Sequence, residues 1–363
     1  MGARQKQDAL ALLTSAAFLA APAAFAQAWL PPKGEASVSM GYQYYDVKDH
    51  LTSDGQRFDD GKIWQQGLVV YLTYGITDRL TVGLGLPPYY ETKYIGNDPH
   101  EWPVLDANGA IVRDQNGTPL FHPPTIDDGS YHGTFQNFGA ALRFMALKDP
   151  LIVTPFVAAG VPSHGYETFG HTAVGRGLAE VRIGANVARR LDPILPDAYV
   201  QGGYAFAFRE KAMGVRVNYS YADAELGYFV TPSVLLRVFG AWQIAHGGLV
   251  DEDYPPASLA APTLREFFVA LEGEQIWGRP ALPIGLHHDQ LEAQNTFNAG
   301  VGASFAAMPS LDVSAATFRT ISGSGGHAAH LGISVWTSIS FSPAKMFRKS
   351  SRKETPSLAS ALQ

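Results

Sequence analysis

From Leu80 to Leu86 the side chains alternate without a break. Leu80, Val82, Leu84 and Leu86 fall on one face, and Thr81, Gly83 and Gly85 fall on the other. A period of two is the mark of a strand whose faces meet different surroundings. A second alternating run, Leu68–Tyr74, precedes it across the short link Gly75-Ile76-Thr77-Asp78-Arg79. Short links between such strands make antiparallel hairpins. The same unit recurs to the end of the chain, which predicts an all-β fold. The expected architecture is a transmembrane antiparallel up-and-down β-barrel with lipid outside and polar groups inside.

The pattern predicts about twelve strands, an even number such as these barrels use. They are Ala36–Asp46, Ile63–Tyr74, Leu80–Tyr94, Gly133–Met145, Leu151–Val161, Leu178–Arg189, Ala198–Arg209, Val215–Val230, Ser233–Ala245, Glu292–Phe305, Leu311–Ile321 and His330–Phe341. The links at 75–79, 146–150, 190–197, 231–233 and 306–310 are short. Those at 49–62, 95–132, 162–177, 247–291 and 322–329 are longer, and only the tip at 210–214 breaks the alternation. Short periplasmic turns and long extracellular loops have this arrangement, which puts both termini in the periplasm.

Alternation also assigns the faces. Phe138, Leu142 and Phe144 on the fourth strand point to lipid and leave Asn137 and Arg143 inside. Val181, Ile183 and Val187 on the sixth leave Glu180, Arg182 and Asn186 inside. The seventh contributes Gln201 and Arg209, the ninth Arg237 and Gln243, and the tenth Gln294, Thr296, Asn298 and Ser304. The eighth strand changes phase, and a bulge near Tyr221–Ala222 would keep Arg216, Asn218, Asp223 and Glu225 inward. The expected lumen therefore sets Arg143, Arg182, Arg209, Arg216 and Arg237 against Glu180, Asp223 and Glu225. A charge facing lipid costs about 2–4 kcal/mol at the midplane. Inside, such charges either fill a narrow barrel as a salt-bridge ladder or filter solutes at a constriction.

Composition narrows the class. The chain has 363 residues, 37 of them glycine and 16 tyrosine, with 17% charged residues and no cysteine. Thiol catalysis and disulfide frameworks are excluded. The net charge of −6 offers no basic footprint for nucleic acid. Arg4 and Lys6, an apolar run from Ala9 to Ala24, and Ala24-Phe25-Ala26 form a signal peptide over 1–26 with its cleavage site. The expected divisions are that signal, a barrel over 27–341, and a disordered basic periplasmic tail over 342–363. A signal peptide followed by amphipathic strands points to the bacterial outer membrane. The partners to expect are its lipids, its assembly machinery and a small-molecule solute.

Three loops invite chemistry. Asp106-Ala107-Asn108-Gly109 and Asp114-Gln115-Asn116-Gly117 are turn signals flanking Ile111-Val112, and they predict a hairpin. Their oxygens lack the spacing of a calcium loop. Thr263-Leu264-Arg265-Glu266 is a capping box, followed by apolar positions at helical spacing and a possible stop at Gly278. Phe267 and Phe268 on that helix either pack on the rim or form a lid at the mouth. His287-His288-Asp289, and His327 with His330, fall short of a full metal-ligand set and read as exposed loop residues. No nucleophile elbow and no phosphate-cradling loop occurs. Neither a metal nor a cofactor is expected.

The last strand, with Leu331, Ile333, Val335, Thr337, Ile339 and Phe341 on one face, resembles the C-terminal signal read by the outer-membrane assembly machinery. The hairpins around Tyr74-Gly75-Ile76-Thr77-Asp78-Arg79-Leu80 and Gly227-Tyr228-Phe229-Val230-Thr231-Pro232-Ser233 also carry a resemblance. They look like the strand, G-x-T-D/P, strand units of the outer-membrane transporters named for the meta-cleavage pathway of phenol degradation. That resemblance implies a porin-like channel for passive uptake of small organic solutes, aromatic ones among them, and no enzyme. A lipid-modifying barrel enzyme and a structural or adhesive barrel acting through its loops are the alternatives. Mass spectrometry of protein extracted from outer membranes is expected to show a chain beginning at Gln27. A mature chain that keeps residues 1–26 contradicts the signal-peptide reading.

Overall fold

The computed structural model describes residues 28–343 except Asp60. The signal segment 1–26, and all but the first two residues of the tail 342–363, lie outside the described residues. Twelve antiparallel strands close into a barrel. The first, Ala36–Leu51, pairs with the second, Lys62–Thr77, on one side and with the twelfth, Gly326–Phe341, on the other. That double pairing is the closure. Each later strand bonds to its sequence neighbours: Ile152–Pro162, Glu180–Arg190, Ala198–Arg209, Asn218–Thr231, Val234–His246, Asn295–Met308 and Leu311–Ser324 are the fifth to eleventh.

The third and fourth strands are each broken. The third consists of Leu80–Gly85 and Tyr89–Ile95, and the fourth of His132–Phe135 and Asn137–Phe144. Pro87 and Pro88 cause the break, because neither has an N–H to give the ladder. The Pro88 carbonyl still accepts from Gln136 N at 2.9 Å. The Gln136 side chain is turned inward and buried, free to bond something other than the wall.

The two faces sort by polarity as alternation requires. Ile183 is 57% exposed on the outer wall, whereas Arg209 on the inner wall is 6% exposed. An apolar band of this extent belongs in lipid. Both motif glycines have a steric reason to be glycine. A Cβ on Gly75 would lie 2.2 Å from the Pro32 carbonyl oxygen, and one on Gly227 would lie 2.3 Å from the Tyr199 ring. The segment before the first strand therefore crosses the short-turn end of the barrel. Ala28 is fully buried there, its carbonyl accepts from Thr154 Oγ1 at 2.6 Å, and Trp29 meets Tyr199 edge-on.

Two features of the barrel wall differ from expectation. The eighth strand has no bulge at Tyr221–Ala222, since its pairing with the seventh runs unbroken from Ala198↔Tyr228 to Ala207↔Tyr219. Its only shift lies near the short turn to the ninth strand, between Phe229 and Thr231. The expected long link at 322–329 is a tight turn at Gly325, whose φ of 59° suits glycine.

The long loops build a cap. The helix Leu264–Ala270 starts on Thr263, whose side chain accepts from Glu266 N, and it ends earlier than expected. Gly278, with Trp277, instead turns a small hairpin that pairs Gln275–Ile276 with Arg279–Pro280. The segment 103–121 forms two Asx turns, in which Asp106 accepts from Asn108 N and Ala110 N and Asp114 accepts from Asn116 N and Thr118 N. A tag inserted near Gly109 or Ala257 is expected to be reached by antibody on intact cells, and a tag in the Lys148–Pro150 turn is not. The reverse pattern would invert the barrel.

Candidate functional site in the lumen

The inner wall carries its charges at two levels. The upper level is centred on Glu180, whose two oxygens take Arg182 Nε and, at 3.0 Å, Arg209 Nε. Arg209 also donates to Tyr221 Oη at 3.0 Å. The Arg182 guanidinium lies 4.2 Å over the Tyr221 ring and that of Arg209 lies 4.3 Å over the Tyr219 ring. The lower level is centred on Glu225, which accepts from Tyr199 Oη at 2.6 Å, Gln201 Nε2 at 2.9 Å and Arg237 Nη1 at 3.4 Å. Arg143 is buried on the fourth strand, and Asp223 lies on the inner face between the two levels.

Of the eight charged residues expected in the lumen, the structure places seven on the inner wall. Arg216 is the exception: it precedes the eighth strand and is exposed. The reason is the missing bulge. Val217, Tyr219 and Tyr221 share the inward face with Asp223 and Glu225, so Arg216 falls on the other. Tyrosine suits either side of a barrel wall, because its ring is apolar and its hydroxyl polar. Here the rings cover guanidinium groups rather than facing lipid.

The loop 163–179 folds into the barrel. Phe169 to Arg176 are all buried. Tyr166 and Val174 pack against Tyr45, Tyr90, Phe239 and Phe318, inward residues from the first, third, ninth and eleventh strands. Gln136, freed by the proline break, donates to the Val174 carbonyl. Arg176 bonds the Tyr219 hydroxyl and the Glu292 carbonyl, and its guanidinium lies 5.3 Å from the centre of the Tyr219 ring that Arg209 also approaches. Arg176 thus brings to the lumen a positive charge that sequence periodicity could not assign, since it lies in a loop.

Phe267 and Phe268 are buried inside the cap. They pack with Ile111, Phe169, Leu264 and Leu271, so they hold three loops together rather than lining an open mouth. Beneath them lies a buried histidine and aspartate network. His100 Nδ1 lies 2.8 Å from Asp127 and its Nε2 lies 3.4 Å from His288 Nε2. Asp127 also accepts from the backbone of His100, His171 and Thr172. Burial opposes charge on His100, but the Asp127 hydrogen bond and charge outweigh it and raise its pKa. Burial, and then the His100 charge, lower His171 to about 3. Burial pushes Asp289 up to about 7. The expectation that His288, Asp289 and His327 are exposed loop residues is corrected, since all three are buried; His330 is exposed. His50 and His171 join them from the first strand and the in-folded loop.

No protein-family model and no curated protein matches the sequence. Solved structures do match. An outer-membrane channel from Pseudomonas putida F1 is 14% identical, with a TM-score of 0.54 over 87% of this chain and 98% of its own. The translocator domain of an autotransporter from Neisseria meningitidis is 11% identical, with a TM-score of 0.47 over 86% of this chain and 90% of its own. The chain is an outer-membrane β-barrel. The similarity to the Pseudomonas putida channel supports the fold.

Removing Glu180 leaves the buried Arg209 and the half-buried Arg182 without their shared carboxylate, and breaking a buried pair costs about 3–5 kcal/mol. Glu180→Ala is therefore expected to lower the unfolding free energy in lipid vesicles by that order. Arg216→Ala should stay within about 0.5 kcal/mol of wild type, as exposed positions do. Urea titration followed by tryptophan fluorescence checks both.

Proposed function

We propose that the protein is a passive outer-membrane channel for small organic solutes, with a preference for anionic ones such as aromatic acids. The observation that carries this is a lumen cavity of about 140 Å³ lined by Arg143, Glu180, Arg182, Asn186, Asp223 and Glu225. It lies along the inner wall, directly beside the charges of both levels. The Pseudomonas putida structure is described as an outer-membrane channel, which fits this reading. The resemblance of the two G-x-T-D/P hairpins to transporters of the phenol meta-pathway type supports small aromatic solutes. On the inner wall Arg143, Arg182, Arg209 and Arg237 exceed Glu180, Asp223 and Glu225, so the wall carries a net positive charge although the whole chain is acidic. In a narrow path with low-dielectric walls such charges are screened less than in bulk water.

A second reading, lipid hydrolysis, has one observation in its favour. On the outer wall Ser220 Oγ lies 2.7 Å from His246 Nε2 and 2.9 Å from Tyr204 Oη. A serine beside a histidine is the minimum of a nucleophile–base pair. Phospholipid hydrolysis by the purified barrel that vanishes in Ser220→Ala would establish this reading.

In planar bilayers under a salt gradient the wild-type protein is expected to conduct with weak anion preference. Arg182→Glu combined with Arg237→Glu is expected to move the reversal potential toward cation selectivity. Conductance with an unchanged potential would make these arginines purely structural, and absence of conductance would overturn the channel.

A further inference from the structure

We infer that His50, His171 and His327 form a binding site for a first-row divalent transition ion, zinc by preference, which fastens the in-folded loop to the barrel wall. His50 and His327 are register partners on the first and twelfth strands, and both are buried. Their rings are 4.2 Å apart between centroids. His171 reaches them from the loop 163–179, and a ring nitrogen of each residue lies within 4.8 Å of the others. Tetrahedral zinc–nitrogen bonds of about 2.0–2.1 Å hold nitrogens about 3.4 Å apart. Binding the ion requires the imidazoles to rotate to that spacing.

The hydrogen bonds single out this trio. In the neighbouring groups the ring nitrogens are engaged: His100 bonds Asp127 and His288, and His288 bonds the Gly285 carbonyl. In the trio, neither ring nitrogen of His50 has a hydrogen-bond partner, and nor does Nδ1 of His171. Fully buried polar atoms without partners call for an explanation. His171 Nε2 lies 3.3 Å from the Asp98 carbonyl, which places the proton there and leaves Nδ1 as the nitrogen with a lone pair to give. Metal-bound histidines have this arrangement, in which a carbonyl behind the ring fixes the tautomer. Three neutral imidazoles without a carboxylate or thiolate suit zinc and its neighbours, not calcium or magnesium, which take oxygen ligands. The site does not depend on the channel reading, because it needs only the loop and the wall.

The test uses untagged full-length protein, purified in detergent and stripped of metal. Titration with Co²⁺ is expected to give saturable visible absorption bands of a low-symmetry histidine site at one equivalent, and Zn²⁺ should displace them. His50→Ala, His171→Ala and His327→Ala should each weaken binding about 100-fold, whereas His287→Ala and His330→Ala should leave it unchanged. Heat-modifiable migration on gels verifies that each variant forms the barrel. Hydrogen exchange of residues 163–179 in the wild type should slow when Zn²⁺ is added. Absence of saturable Co²⁺ binding by the wild type overturns the site, whatever the variants do, and so does binding that survives all three alanine substitutions. Binding without slower exchange overturns the fastening.

Discussion

A strand in lipid cannot leave its N–H and C=O groups unpaired, so the first strand has to find the last. The ladder from Ala36↔Phe341 to Leu51↔Gly326 meets that demand, and the rest of the structure follows from it. Closure fixes register, and register fixes which member of every alternating pair faces inward. Lipid takes Val181, Ile183, Leu236 and Val238, and the interior must then accommodate Glu180, Arg182, Arg209 and Arg237. Where the ladder lapses at Pro87 and Pro88, the lapse is closed from within. Gln136 gives its backbone N–H to Pro88 and its side chain to Val174 of the in-folded loop.

The interior solves a second problem, because a buried charge is costly unless both partners are satisfied. Glu180 uses each oxygen on a different arginine, and Glu225 collects a tyrosine, a glutamine and an arginine. The guanidinium faces left over are covered by Tyr219 and Tyr221. Cation–π contacts of this kind gain strength once water is excluded. The eighth strand therefore supplies rings at its upper end and carboxylates below, all on one face. That serves the arginines of the sixth, seventh and ninth strands together.

How much of this was legible in the sequence depends on whether the information is local. All twelve strands could be read from alternation, because a wall between lipid and a polar interior imposes period two on each. The same periodicity placed Arg143, Arg182, Arg209 and Arg237 correctly. It fails at Arg216, because a tyrosine ring tolerates either side and Tyr219 and Tyr221 therefore carry no signal of which way the strand faces. It fails again at 322–329, where glycines and small residues resemble a loop but continue two strands to Gly325. His50, His100 with Asp127, His171 and His288 come from four separate stretches of chain, and no spacing in the sequence announces that they meet. Arg176 is hidden for the same reason.

The in-folded loop is held on several sides at once, and this decides how it can behave. Val174 is tied to the wall through Gln136, and Arg176 to the eighth strand and to Glu292. Thr172 and the His171 backbone are tied to Asp127, which belongs to another loop. Phe169 is sunk in the cap core with Phe268 and Ile111. Groups bonded into one network are not released one at a time, since freeing one buried polar atom strands its neighbours. The loop and the cap core therefore shift together or not at all. Bonded at once to Tyr219 and to the Glu292 carbonyl, Arg176 makes the in-folded loop a built part of the interior rather than a hinged flap.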